Sequence, residues 1–204
     1  MGTEGIRLLV IRHGQQERDG DNGPLTALGR EQAVAVSGAI DLTGDDRLVS
    51  STLQRAVQTA TALGRSPEQF PDLDEFRFGT SWTWEHAAEG DDKALWRPDD
   101  RVPGGESLRE FQARVESSVA GLVDGRHSGR VVVVVHSGVI DAVLRWAFGS
   151  TPDTPWTTEV EVAHASITEL HHWPAGRHPR GASRHTLIAR LGDVRHLPAE
   201  LVTG

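Results

Sequence analysis

Short runs of apolar residues with sharp polar boundaries indicate the strands of a sheet. The two strongest runs are residues 6–11 (IRLLVI) and 131–135 (VVVVV), and residues 47–50 (RLVS) form a weaker third. Such runs, rich in β-branched side chains, are typical of central strands buried on both faces of a parallel sheet. Two more strands are predicted at residues 160–170 and 186–191.

Between the strands, apolar residues recur every three or four positions and predict four amphipathic helices. The four stripes are Ala33, Val36, Ala39 and Ile40; Leu53, Ala56, Val57, Ala60 and Leu63; Leu108, Phe111, Val115, Val119 and Leu122; and Ile140, Val143, Leu144 and Ala147. Alternating strands and helices predict a three-layer αβα sandwich whose central sheet is mostly parallel. We interpret residues 1–204 as a single domain, with the irregular residues 65–105 inserted as a cap.

The composition is that of a globular protein, with 37% hydrophobic and 25% charged residues and a net charge of -8. An acidic protein repels nucleic acids and anionic lipid, so neither is an expected partner. The absence of cysteine excludes disulfides and thiolate catalysis and fits a cytoplasmic location. The N-terminal apolar run is too short for a signal peptide, and no stretch approaches a membrane span.

Two histidines directly follow the two strongest strands. His13 ends LLVIRH and His136 ends VVVVVH. Ligands of open α/β sheets bind beyond the carboxyl ends of the strands, which places both histidines at the expected site. A helix is predicted to begin after His136 at Ser137, and its free N–H groups are suited to an anion.

Two arginines complete a cationic cluster inside an acidic protein. Arg12 precedes His13, and Arg55 lies one turn into the helix after the third strand, off its apolar stripe. Guanidinium groups bind phosphate oxygens bidentately. With His136, the two arginines could stabilise a phosphoryl group while the neutral imidazole of His13 attacks phosphorus. This chemistry requires no metal and no cofactor, only a carboxyl group to protonate the leaving alcohol.

Four segments, in order along the chain, closely resemble the histidine phosphatase superfamily in its phosphoglycerate mutase-like branch: LLVIRHGQ, PLTALGREQA, SSTLQRAVQTA and VVVVVHSGVI. The resemblance implies that His13 is the phosphorylated nucleophile. It also implies that Arg12, Arg55 and His136 bind the phosphoryl group. The chain departs from the family where an asparagine usually helps to bind phosphate; Gln15 is a candidate contact there, and Ser137 is a candidate at the predicted helix N-terminus.

The resemblance also implies a glutamate as proton donor, in a segment similar to L-x-E-x-x-x-G. Here that segment is LDEFRFG, which makes Glu75 the candidate. Glu85 in WTWEH and Glu106 in GGES are rival carboxylates. We expect Glu106 to lie in the first turn of a helix, where it would stabilise the helix dipole.

Several functions share such a pocket. We favour a phosphatase that hydrolyses a small phosphomonoester, because the cap offers few cations for a second anionic group. The alternatives are a phosphoglycerate mutase, a biosynthetic enzyme acting on a phosphorylated intermediate, and a non-catalytic phospholigand-binding protein. A homodimer is the default oligomer. The His-rich residues 171–186 are predicted to be a solvated loop rather than a metal site.

The cap is also rich in aromatic side chains. Trp82, Trp84, Trp96, Phe76 and Phe78 are predicted to pin the cap to the body of the domain. An aromatic wall for a ring-bearing substrate is the alternative interpretation.

Overall fold

A single six-stranded sheet forms the centre of the molecule. The computed structural model describes residues 5–18, 22–79, 97–101, 104–124, 128–178, 181 and 183–204. The strands are β1 (Ile6–Arg12), β2 (Arg47–Ser50), β3 (Glu68–Gln69), β4 (Gly129–Val135), β5 (Ile167–Trp173) and β6 (His185–Asp193). Their order in the sheet is β3-β2-β4-β1-β5-β6. The first four pair in parallel, and β5 and β6 add two antiparallel strands, so the sheet is mostly parallel as predicted.

Helices cover both faces of this sheet. They are α1 (Ala27–Ala39), α2 (Gln54–Thr61), α3 (Leu108–Val123) and α4 (Ser137–Phe148). One apolar core joins α3 and α4 to one face of β1 and β4, and a second joins α1 and α2 to the other face. Alternate valines of β4 are buried in opposite cores. Both faces of this strand are therefore apolar, which gives the continuous apolar run in the sequence. The three-layer αβα sandwich predicted from the sequence is confirmed.

The register of β1 and β4 brings the two predicted histidines together. The strands are parallel neighbours, and Arg12 pairs with Val135 at their carboxyl ends. The residues that follow, His13 and His136, therefore leave the sheet side by side. Chain order alone separates them by more than a hundred residues, so their proximity depends on β4 inserting between β1 and β2.

The C-terminal hairpin differs from the prediction. Its first strand runs over Ile167–Trp173, not over residues 160–170, so His171 and His172 belong to β5 rather than to a loop. Residues 160–166 are apolar for another reason. Val162 and Ala165 are buried in a non-strand segment, and Ala165 adopts a left-handed backbone with φ of 58°. Burial without strand pairing produced the same apolar pattern.

The predicted cap and its aromatic residues are described only in part. Much of the predicted cap falls at residues 80–96, outside the described residues, as do Trp82, Trp84 and Trp96. The described aromatic residue Phe76 is buried and packs edge-on against Phe111, with ring centroids 5.4 Å apart. Within the described part of the chain, no helix is both long and apolar enough to cross a membrane.

Candidate active site

His13 is held by its main chain and by one ring nitrogen. Its N–H donates to the carbonyl of Val135 at 2.9 Å, and its carbonyl accepts from the N–H of Ala165 at 3.1 Å. The ring Nδ1 lies 2.7 Å from the carbonyl oxygen of Gly14. A carbonyl can only accept, so Nδ1 carries the proton and Nε2 of the neutral ring holds the free electron pair.

The loop after His13 is pressed against the start of α1. A Cβ atom at Gly14 would lie 2.5 Å from the carbonyl oxygen of Gly29, and one at Gly29 would lie 2.0 Å from that of Gln15. Only glycine permits such approach of two backbones. The N–H of Gly14 also donates to the hydroxyl of Thr59 at 3.0 Å. These contacts fix the direction in which the His13 ring leaves the sheet.

Arg55 joins the two histidines. Its Nε lies 3.2 Å from Nε2 of His13 and 3.2 Å from Nδ1 of His136, so one N–H is shared between two ring acceptors. Because Nδ1 of His136 accepts from Arg55, the single ring proton of neutral His136 is on Nε2. This Nε2 lies 2.7 Å from the hydroxyl of Ser51. The two rings are 5.0 Å apart. The structure thus brings together three of the four residues singled out in the sequence.

Burial and positive charge keep both rings neutral. Burial, followed by the charge of Arg55, lowers the pKa of His13 well below 6.5. Burial lowers the pKa of His136 well below 6.5 as well, and the neighbouring His13 and Arg55 add to the effect. An imidazolium among arginines is disfavoured because like charges repel in a poorly solvated site. His13 therefore remains in its nucleophilic form at neutral pH.

A third histidine, which the sequence analysis missed, completes the cluster. The His164 ring lies 5.8 Å from that of His13. Nη2 of Arg12 lies 3.2 Å from Nε2 of His164, and Nη1 of Arg12 donates to the carbonyl of Val162. Residues 160–166 thus pass over the cluster. No motif marks His164, because its position depends on the turn between Val162 and β5.

The other two predicted phosphate contacts lie at the edges of the cluster. Gln15 follows Gly14, and its side-chain carbonyl accepts from the hydroxyl of Thr26 at 2.9 Å. Its own N–H donates to the side chain of Gln32 at 2.7 Å. Ser137 is the first residue of α4, directly after His136. Gln15 is therefore used to position the start of α1, whereas Ser137 lines a cavity described below.

Glu75 lies at the N-terminus of α4. Its Oε2 accepts from the N–H of Gly138 at 3.2 Å, and its Oε1 accepts from the N–H of Phe76 at 2.9 Å. The unpaired N–H groups of a helix N-terminus favour a carboxylate at this position. Burial lowers the pKa of Arg12, and the negative charge of Glu75 partly offsets this effect. The two side chains are therefore close enough to interact electrostatically. The carboxylate is therefore adjacent to the histidine cluster.

Glu106 supports the segment that carries Glu75. Its carboxylate forms a bidentate pair with Arg114, at 2.6 and 2.8 Å, and accepts from the N–H of Arg77 at 2.9 Å. Arg114 donates in turn to the carbonyls of Asp74 and Glu75. Both partners are mostly buried. This clamp fixes the backbone on both sides of Glu75.

The prediction that Glu106 lies in a helical first turn is wrong. The helix begins after Ser107, whose hydroxyl and the side chain of Glu110 form a capping box. Glu106 precedes this cap and is engaged by Arg114 instead. The third candidate carboxylate, Glu85, lies outside the described residues.

Comparison of the sequence with protein families identifies the family of this chain. The sequence matches the histidine phosphatase superfamily (branch 1) over residues 8–182, a span that contains His13, Arg55, Glu75 and His136. The chain belongs to the histidine phosphatase superfamily. The resemblance stated from the sequence is confirmed.

Characterised relatives of this histidine phosphatase superfamily member include phosphatases. The adenosylcobalamin/alpha-ribazole phosphatase of Escherichia coli (strain K12) is 29% identical over 81% of this chain and 91% of its own. Bifunctional protein Rv2228c of Mycobacterium tuberculosis is 33% identical over 91% of this chain but 54% of its own, so this chain spans about half of that relative.

Solved structures show the same fold. The mycobacterial glucosyl-3-phosphoglycerate phosphatase Rv2419c in complex with inorganic phosphate is 26% identical, with a TM-score of 0.73. The match covers 94% of this chain and 99% of that chain. It includes nearly the whole histidine phosphatase domain, so the two proteins share the sheet and both helical layers.

The His-rich region is not the single exposed loop that was predicted. His172 is buried in β5, while His171 lies 2.8 Å from the carboxylate of Glu169. The rings of His178 and His185 are 4.2 Å apart, and each packs against Trp173. Among the residues with described positions, no three His, Asp or Glu side chains converge as a metal site.

His164 should make the stability of this histidine phosphatase depend on pH. Burial, assisted by Arg12, lowers its pKa from 6.5 to about 4. Between these values the unfolded chain binds a proton that the native state does not, so the free energy of unfolding falls as the pH falls. His164 alone should contribute a loss on the order of 3 kcal/mol across this window.

Urea unfolding would measure how the free energy of unfolding depends on pH. Measurements at about pH 7, 6, 5 and 4.5 span most of the range in which His164 is protonated only in the unfolded chain. His164→Gln should reduce the slope but not abolish it, because burial also lowers the pKa of His13 and of His136. His185→Gln, at an exposed position on β6, should leave the slope unchanged. A wild-type slope retained in His164→Gln would show that other groups cause it.

Proposed function

We propose that this protein is a metal-independent phosphatase that hydrolyses a small-molecule phosphomonoester through a phosphohistidine at His13. One observation carries the proposal: the Nε of Arg55 lies 3.2 Å from both the free nitrogen of His13 and Nδ1 of His136. A guanidinium and a second imidazole thus surround a buried neutral nucleophile. Such an arrangement suits a phosphoryl group, whose transfer depends on positioning and charge stabilisation.

In the first step, Nε2 of His13 attacks phosphorus in line with the ester oxygen. The N–P bond forms as the P–O bond to the alcohol breaks. Arg12 and Arg55 stabilise the phosphoryl oxygens, and the bound dianion favours a proton on His136, which then donates to it. Glu75 enters this step in its protonated form, which the negative charge of the bound phosphate favours. It gives its proton to the departing alkoxide, because an alkoxide is a poor leaving group unless protonated.

In the second step, water attacks the phosphohistidine. Glu75, now a carboxylate, accepts a proton from this water, so one residue serves as acid and then as base. The N–P bond breaks, inorganic phosphate is released, and the electron pair returns to Nε2 of His13. In both steps Arg12, Arg55 and His136 balance the charge on the phosphoryl oxygens. The proposed mechanism therefore requires no metal ion.

Hydrolysis is favoured over mutase chemistry by the charges around the site. A mutase must hold the second anionic group of its substrate. The cap offers few cations for this purpose: Arg77 and Arg97 are exposed, Arg101 pairs with Glu110 at 2.5 Å, and Lys93 lies outside the described residues.

The proposal is tested by release of phosphate from p-nitrophenyl phosphate and a panel of alkyl phosphates in excess EDTA. We expect hydrolysis that survives chelation. Activity that is lost with EDTA and restored by a divalent ion would contradict metal independence. In parallel, 3-phosphoglycerate is supplied with 2,3-bisphosphoglycerate: efficient isomerisation would favour the mutase. No turnover of any ester would favour a phospholigand-binding or biosynthetic role.

A further inference from the structure

A cavity of about 420 Å³ adjoins Glu75 and the first turn of α4. Its volume is in the range of small-molecule sites, which is roughly 300–1,000 Å³. One wall is apolar and contains the buried rings of Phe76, Phe111 and Trp156. Ser137 and Glu75 form the end nearest His136. An alcohol protonated by Glu75 would therefore lie in this cavity.

The polar part of the cavity is acidic. Four carboxylates line it, those of Glu75, Asp141, Glu159 and Glu161, and no Lys, Arg or His of the described chain is among the lining residues. Asp141 is buried and accepts from the N–H of Val160 at 2.8 Å, whereas Glu159 and Glu161 are exposed. An anionic group on the substrate would be repelled here, and a cation attracted.

Trp156 is a fixed part of the apolar wall. It is 2% exposed, and the Arg145 guanidinium lies 4.8 Å from its ring centroid. Arg145 also donates to the carbonyls of Thr154 and Pro155, on the chain just before Trp156. The wall therefore has a fixed shape and presents hydrocarbon to the cavity.

We propose that the alcohol portion of the substrate is a largely hydrocarbon group that is uncharged or cationic, and that a second anionic group is excluded. This inference rests on the proposed phosphatase function and specifies its substrate class. The acidic rim selects against anions, while the apolar wall that includes Phe76, Phe111 and Trp156 suits hydrocarbon. The phosphoryl group itself is bound outside this cavity, by the arginines and histidines beyond Ser137.

Three benzyl phosphates test the inference, with a para ethyl, aminomethyl or carboxymethyl substituent. The ethyl and aminomethyl substituents have the same number of heavy atoms and the carboxymethyl substituent has two more, so charge at the distal end is the main difference; the effect of size is the same in the wild type and in the charge variants below. We expect kcat/KM for the carboxymethyl ester to be at least about tenfold below that of the ethyl ester, since like charges disfavour association. The aminomethyl ester should equal or exceed the ethyl ester.

The double variant Glu159→Gln/Glu161→Gln should move the ratio of ethyl to carboxymethyl kcat/KM towards one. Glu31→Gln, an exposed position on α1 at the opposite face of the sheet, should keep the wild-type ratio. Equal kcat/KM for all three esters, or an unchanged ratio in the double variant, would overturn the inference and leave the phosphatase intact. If neither these esters nor p-nitrophenyl phosphate released phosphate, the phosphatase proposal itself would fail.

Discussion

His13→Gln should reduce kcat/KM for p-nitrophenyl phosphate by at least about 10⁴-fold, because the proposed phosphoryl intermediate forms on this ring. The glutamine amide retains a polar atom near the position of Nε2 but is not a nucleophile. Wild-type enzyme quenched in alkali during turnover should gain the mass of one phosphoryl group, and the modified peptide should contain His13. Both signals should be absent from the variant.

The matched control is His185→Gln, which changes an exposed histidine on β6. It should retain wild-type activity and the phosphoryl adduct. Circular dichroism and thermal unfolding of His13→Gln establish that the variant is folded, which matters because His13 is 5% exposed. A folded variant that keeps activity within about tenfold of wild type would refute covalent catalysis by this residue.

Glu75→Gln should discriminate between good and poor leaving groups. An alkoxide needs a proton as it departs, whereas p-nitrophenolate does not. We therefore expect kcat/KM for benzyl phosphate to fall about 10²- to 10³-fold and that for p-nitrophenyl phosphate to fall less than about tenfold. The parameter kcat/KM reports the steps up to departure of the alcohol, so it excludes any effect on later hydrolysis of the phosphohistidine.

Steady-state kinetics with both esters provide the measurement, and Glu200→Gln is the control at an exposed carboxylate remote from α4. Equal losses with the two esters would argue that Glu75 positions the substrate instead of donating a proton. Glu106 is the alternative donor considered from the sequence, but its bidentate pair with Arg114 leaves it engaged in holding the Glu75 segment.

The sequence predicted those parts of the fold that leave a local pattern. The apolar run at residues 131–135 marks β4 because each valine is buried in one of two cores. His13 and His136 could be paired from the sequence alone, since both follow strongly marked parallel strands. Arg55 was found because it lies off the apolar stripe of its helix. In each case the residue is identified by the pattern of apolar residues immediately around it in the sequence.

Features created by long-range contacts left no such pattern. β3, at Glu68–Gln69, is short and exposed, so it carries no apolar signal. His164 reaches the site only because residues 160–166 turn and Arg12 binds the carbonyl of Val162. The support of Glu75 by Arg114 joins residues 39 positions apart through a side chain and a carbonyl. Spacing rules describe single elements and cannot report contacts of this kind.

Gly14 and Gly29, which pack together beside His13, are positions at which no side chain fits. A methyl group at Gly14 or Gly29 would collide with a main-chain oxygen, which no change of rotamer can relieve. Random libraries at these two positions should return glycine alone among active clones. Attempts to change the substrate preference are better directed at Glu159 and Glu161, which line the cavity and are exposed, so their side chains can be exchanged without moving the strand end that carries His13.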